Sequence, residues 1–307
     1  MSPNTKTITV LGALGAQGSS VVNSFLADGS FKVRGVTRSV DTPASKDLQK
    51  QGVEMISGDV KKPSSLSEAF TGADTAFVVV NFWDPDIGTK EGELTRAIFE
   101  EAKKAGIQHV IYSSLANVKK VTGGDITVPH FTLKGEAWEH LQTMGFESVT
   151  AVEPAAYYSN WFSFFKAVED ESGTLVWTWP GKKDNAFSNF DANTGVGPSV
   201  LAAAKDPSKF NLQNILLEGE KISIEDAVAE LSKKLGKPGR VHYEDPAKFA
   251  TFFEGAHEIA EMVRWFDEYG YYGPETETRK HSSGREIGGL LSFQEWLDTG
   301  AYEKLLS

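Results

Sequence analysis

Residues 6–18 constrain this chain more than any other stretch. There the short apolar strand Ile8-Thr9-Val10-Leu11 runs straight into glycines spaced Gly12-x-x-Gly15-x-x-Gly18. An extended segment that turns at once into a helix, with glycine at three set points, has the pattern of a phosphate cradle. Gly12 allows the sharp turn, Gly15 lets backbone N–H groups approach a pyrophosphate, and Gly18 lets the next helix pack on the sheet. Residues 19–26 follow with helical apolar spacing, and Phe31-Lys32-Val33-Arg34-Gly35-Val36 starts a second strand, which completes a βαβ unit.

Strand-like and helix-like segments then alternate. Strands are predicted at 6–11, 31–36, 53–57, 74–80, 108–113 and 147–151, with helices near 16–28, 43–51, 63–70, 87–106 and 131–144. Six alternations with short connections predict an α/β fold, a Rossmann-type doubly wound parallel sheet with helices on both faces. In such a sheet a ligand sits at the carboxyl ends of the strands. After Pro154 the alternation degrades. The run Tyr157 to Phe165 is dense in aromatics, and Trp177 and Trp179 follow. These rings are either the core of a small lobe or a wall over the nicotinamide end of a cofactor. Helices are expected at 224–231, capped by Ser223, through most of 249–269, and at 293–297. The 307 residues are divided into a nucleotide-binding domain, 1–153, and a smaller α+β lobe, 154–307, interleaved with the last elements of the first.

Composition narrows the function classes. The chain has no cysteine, which excludes disulfides, thiolate nucleophiles and cysteine zinc sites, and no metal site is expected. A net charge of -11 argues against direct nucleic-acid binding, which needs clustered Lys and Arg. No secretory signal and no membrane-length apolar run is read, so the cytosol or nucleus is the expected location, with no membrane partner. A monomer or homodimer is expected.

The strand ends supply the cofactor candidates. The second strand ends Val36-Thr37-Arg38-Ser39, where an NAD-preferring site would carry an acid for the ribose hydroxyls. Arg38 stands there instead, able to pair with a 2′-phosphate and favouring NADP(H), or else simply solvated. Asp59, after the third strand, is placed to accept from the adenine amino group. Lys62 either adds charge near the 2′-phosphate or is solvated. The fourth strand leads to Asn81-Phe82-Trp83, beside the expected nicotinamide ribose, and Lys90 opens the long helix that follows. Ser113 ends the fifth strand, where a short-chain dehydrogenase carries its catalytic serine. A working reductase of that class would read Tyr-x-x-x-Lys on the next helix. Here His130 precedes Lys134 by four residues, as a proton donor or as a packing residue.

Together, Gly12 to Gly18, Val36-Thr37-Arg38, Asn81-Phe82-Trp83, Lys90-Glu91-Gly92, Tyr112 to Lys120 and His130-Phe131-x-x-Lys134-Gly135-Glu136 resemble the NmrA-like family of atypical short-chain dehydrogenases, in particular its human redox-sensor branch. The resemblance runs from the first strand to about Asn160, and more weakly to the Trp296 helix. It implies an NADP(H) site built from the glycine loop with Leu14, Ala16 and Gln17, and from Arg38, Asp59, Val60, Asn81, Phe82, Trp83, Lys90 and Lys134, with Ala155, Tyr157 and Tyr158 after strand six. It also implies either a redox-responsive regulator that reports the NADPH/NADP balance to a protein partner, or an NADPH-dependent reductase of a small quinone, enone or aromatic carbonyl. Two departures from the family pattern stand out. Ser114 adds a hydroxyl near the expected active site, and Glu153 before Pro154 argues against the family's partner surface there.

Overall fold

Eight parallel strands form the central sheet of the computed structural model, which describes residues 5–183, 185–275 and 279–306. The outer ends of the two expected lobes, residues 1–4 and 307, lie outside these. The first six strands are β1 (Thr7–Val10), β2 (Lys32–Thr37), β3 (Glu54–Ser57), β4 (Thr75–Val78), β5 (His109–Ser113) and β6 (Ser148–Pro154). In space they run β3-β2-β1-β4-β5-β6. The order reverses between β1 and β4, and the crevice of a doubly wound sheet opens at that point. The helices that connect them are α1 (Ala16–Asp28), α2 (Pro43–Lys50), α3 (Ser67–Phe70), α4 (Glu91–Lys104), α5 (Val118–Thr122) and α6 (Pro129–Thr143).

The expected doubly wound α/β architecture is present. The first five strands fall within two or three residues of the predicted bounds, whereas β6 runs three residues beyond its predicted end. Glu153 and Pro154 look like strand breakers in isolation. Pro154 is tolerated as the terminal residue, and Glu153 is buried against two partners, the Arg279 guanidinium and the Asn214 amide. The Glu153 side chain is fully buried and presents no surface of its own.

Two strands from the second half complete the sheet. Gln213–Leu217 pairs with β6, and Lys280–Ser283 pairs in turn with Gln213–Leu217, both in parallel. The remaining strands form two small three-stranded sheets, one centred on Ala186–Phe190 and the other on Leu175–Trp179. The segment read as mostly helical over 249–269 is two helices, Pro246–Phe249 and Ala256–Tyr269.

Apolar clusters cover both faces of the sheet. On one, Leu66, Phe70, Phe99 and Trp138 pack under α3, α4 and α6. On the other, α1 crosses the helix Ala192–Lys205 at very close range. A Cβ on Gly197 would lie 2.1 Å from the Ser20 carbonyl oxygen, and the Gly197 N–H donates to Ser20 Oγ at 2.9 Å. This second cluster continues into the small lobe through Phe187, Trp179, Trp161 and Phe293, so the two lobes share one core.

Candidate functional site

A cavity of about 650 Å³ opens at the carboxyl ends of the strands and extends under the second lobe. Its floor is the glycine loop. Gly12 sits at φ +62°, a left-handed conformation that glycine adopts without cost. A Cβ on Gly18 would lie 2.1 Å from the Gly12 carbonyl oxygen, so only glycine lets α1 seat on β1. At Gly15 the nearest protein atom to such a Cβ is that same oxygen at 3.3 Å, and the residue lines the cavity. Gly15 is also the N-cap of α1 and offers no capping side chain. The first-turn N–H groups and the positive end of the helix dipole thus meet the cavity without a protein cap. Leu14, Ala16, Gln17 and Gly18 line the same floor.

At one end the cavity is charged. Arg38, Asp59 and Val60 line it, and the Arg38 guanidinium makes no hydrogen bond or ion pair among the described residues. The Asp59 carboxylate accepts from the Lys61 N–H at 3.0 Å and so shapes its own turn. Lys61, not Lys62, is the lysine that lines the cavity, and its ammonium pairs with Asp86 at 2.7 Å. The Lys61 hydrogen bond, with lesser help from Lys90 and Arg38, holds the Asp86 carboxyl below the usual carboxylate range.

At the junction stand Asn81, Phe82, Trp83, Ser113, His130 and Lys134, all in the lining. Lys134 Nζ donates to the Val80 carbonyl at 2.8 Å and pairs with Glu91, whose carboxylate has no exposed surface. Burial pushes the Glu91 carboxyl up, and the adjacent Lys134 charge opposes that shift. Lys90 points into solvent and lies outside the lining, because consecutive residues at a helix start point about 100° apart. Its neighbour Glu91 takes the inward position. His130 Nδ1 is held by Glu258, from the helix Ala256–Tyr269. The Ser114 hydroxyl faces the Leu115 and Lys134 carbonyls at 3.3 and 3.4 Å and adds nothing to the cavity.

The far end is apolar. From residue 154 onward the lining includes Tyr157, Phe164, Phe165, Met262, Phe266 and Tyr271, with Asn160 and no charged residue. Trp83 and Phe164, both partly exposed, meet across the mouth with centroids 5.1 Å apart. The aromatic run divides: Trp161, Trp177 and Trp179 are core, whereas Phe164 and Phe165 line the cavity, Phe165 from within the core cluster. Ala155 and Tyr157 line the cavity. Tyr158 does not. It opens the 3-10 turn Tyr158–Phe162 and is fully buried between Phe293 and Trp296, with its hydroxyl donated to the Leu291 carbonyl at 3.0 Å. Tyr157 and Tyr271 are both held as phenols by burial. Tyr271 donates to the Pro154 carbonyl at 3.2 Å, and Tyr157 accepts from Gln17 Nε2 at 2.7 Å.

The sequence profile of the NmrA-like family matches residues 4–297. The chain belongs to that family. An NmrA-like family domain-containing oxidoreductase of Aspergillus japonicus, himF, is 31% identical over 274 residues, covering 84% of this chain and 81% of its own. A second, malD of Malbranchea aurantiaca, is 30% identical and covers 78% and 76%. Among solved structures, NmrA, a negative transcriptional regulator, in complex with NADP superposes with a TM-score of 0.77 at 26% identity, covering 96% of this chain and 95% of that one.

Among the charged residues of this NmrA-like chain that escaped sequence reasoning as site members are Lys61, Glu91 and Glu258. Lys61 is one position from the lysine that was considered. Glu258 sits 128 residues from its histidine and has no local signal, since an acid in the first turn of an amphipathic helix reads as a solvated, dipole-matched residue.

Proposed function

We propose that this chain is an NADP(H)-dependent oxidoreductase acting on a small uncharged substrate held by the second lobe. The carrying observation is that one continuous cavity joins an uncapped helix N-terminus and an unpaired arginine to an uncharged aromatic wall, with Lys134 and His130 between them. The residues fit the cofactor. Gly12 holds the positive φ of the turn, Gly18 leaves room where a Cβ would not fit, and the buried Gln17 Oε1 has no partner among the described residues. The α1 N-terminus would hold the pyrophosphate and Arg38 the 2′-phosphate, with Asp59 at the adenine and Lys134 at the nicotinamide ribose. NADPH bound there supplies a hydride. The chain's own part is to orient the cofactor, exclude water with the Trp83–Phe164 contact and provide a proton beside Lys134. The oxidoreductase names of himF and malD support this reading.

A second reading, a regulator that reports the NADPH/NADP balance to a protein partner, is favoured by the missing tyrosine four residues before Lys134 and by the likeness to NmrA, a negative transcriptional regulator. Such a sensor must respond differently to NADPH and NADP, since ligands with equal effects on both conformations carry no signal. The deciding experiment follows the loss of reduced-nicotinamide absorbance with a panel of quinones, enones and aromatic carbonyls. Turnover that Lys134→Ala abolishes establishes the oxidoreductase. NADPH binding without turnover, together with different protease protection by NADPH and NADP, establishes the sensor.

A further inference from the structure

His130 is the single titratable side chain of α6 besides Lys134 that lines the cavity, and its partner comes from the other lobe. One carboxylate oxygen of Glu258, Oε1, takes both the His130 ring at Nδ1 and the His130 backbone N–H at 3.2 Å. That N–H belongs to the first turn of α6 and has no partner within its own helix. The clasp is reinforced nearby: Glu261 accepts from the Thr127 N–H at 3.1 Å, and Arg264 pairs with Asp125. The segment 125–130 is thus tied to the helix Ala256–Tyr269 at three points, and Glu258 is fixed where it meets the ring.

The chemistry of the pair sets the tautomer. An ionised carboxylate only accepts, so Nδ1 carries the proton and Nε2 is the atom left for the cavity. The ring is packed by Phe131, Trp83 and Phe82 at centroid distances of 4.9, 5.1 and 5.7 Å. Three other charged groups belong to this neighbourhood. Glu91, on α4, and Lys134, on α6, neutralise one another, and Asp84 lines the cavity on the loop after β4. With Lys134 committed to Glu91, the Glu258 charge remains for His130.

We infer that Glu258 is a positioning residue that holds His130 with Nδ1 protonated, so that Nε2 delivers a proton to the oxygen of an uncharged, planar carbonyl substrate lying against the aromatic wall. The inference rests on the oxidoreductase reading. The uncharged lining of the second-lobe end selects the substrate class, because among the described residues from 154 onward a carboxylate or phosphate would find no cation, and the nearby Lys134 is paired with Glu91. In the balanced reaction the carbonyl carbon would gain a hydride with its electron pair from the NADPH proposed above, which leaves as NADP⁺, and the oxygen would gain the Nε2 proton. The product is an alcohol, and the imidazolium becomes a neutral imidazole that keeps its Nδ1 proton and is recharged from solvent.

The test combines nitrogen-edited NMR of the free protein with steady-state kinetics. The neutral ring of the unmutated protein is expected to show its proton on Nδ1. Glu258→Ala, which removes the acceptor, moves it to Nε2. Glu258→Gln keeps an acceptor but no charge, so the tautomer stays while kcat falls at least tenfold, and Glu258→Asp restores kcat to within a fewfold. KM and NADPH affinity hold in all three, which a merely structural role of Glu258 would not allow. An Nε2-protonated ring in the unmutated protein, or a Glu258→Gln variant with undiminished kcat, overturns the inference. Normal NADPH affinity with no carbonyl reduced overturns the oxidoreductase reading, and the donor role with it, whatever the tautomer.

Discussion

The two ends of the cavity are built by different means. The glycine-loop end is built mainly of backbone: three glycines and the start of one helix, contributed by a single short stretch of chain. The opposite end is all side chain. Its His130–Glu258 pair, its Trp83–Phe164 contact and its aromatic wall are drawn from loops and helices far apart in the sequence. A backbone site fails when an atom is added, and a side-chain site fails when one is removed. The first tolerates almost no variation at its glycines, and the second can be retuned residue by residue without disturbing the sheet.

The largest expected effect tests the backbone end. Gly18→Val drives a side chain into the Gly12 carbonyl, from which a Cβ would be only 2.1 Å away. The variant should fail to fold, which lost far-UV circular dichroism or insoluble expression would show. Gly15→Val meets nothing closer than 3.3 Å within the protein, so it should fold and lose NADPH affinity. If both variants fold equally well, the division of labour among the glycines is wrong.

Removing an atom group at the junction comes next. Lys134→Met strands the buried Glu91 carboxylate, and breaking a buried pair in this way costs about 3–5 kcal/mol. Lys134→Met with Glu91→Leu should recover most of that in denaturant unfolding while leaving activity lost. A double variant no more stable than the single one would remove the ion pair from the account.

Acid probes the strand edge opposite the cavity. The strand β5 that ends at Ser113 begins at His109, buried and pushed down to about 4 by desolvation. Thr150 gives its hydroxyl proton to the Phe210 carbonyl and so accepts from His109 Nε2. The unfolded chain takes up a proton near pH 6.5 that the folded ring refuses until about pH 4. Stability should therefore fall by about 3 kcal/mol across that window and level off below it. His109→Gln should flatten this part of the slope in urea titrations, and an unchanged slope would count against the burial argument.

The smallest effect concerns selectivity. Arg38→Ala should narrow the preference for NADPH over NADH by about 1.5–3 kcal/mol in calorimetry. Equal affinities of the unmutated protein for the two cofactors would show that the unpaired guanidinium is merely solvated.

The contrast between the ends also explains what was legible in the sequence. Glycine spacing after an apolar strand is a local signal, and β1 to β5 follow from apolar runs between turns. The edge strand Lys280–Ser283 is four polar residues with no strand signature of its own, and only its pairing with Gln213–Leu217 defines it. Lys61 against Lys62, Glu91 against Lys90 and Tyr157 against Tyr158 are one-residue distinctions. Pattern places the turn or strand, but the direction of each side chain is set by packing. Glu258 was out of reach for another reason: its meaning depends on a histidine across a lobe interface.

The two late strands that finish the sheet carry a practical consequence for anyone cutting this molecule apart. A fragment ending after Glu153 would keep the glycine loop, but β6 would lose the strand that covers its outer edge. An uncovered row of N–H and C=O groups along a β-rich, apolar segment is a template for pairing with other chains. The half that carries the glycine loop should therefore polymerise or precipitate when expressed alone. A permuted chain that opens an exposed loop elsewhere should remain monodisperse, because every neighbour in the sheet survives the cut.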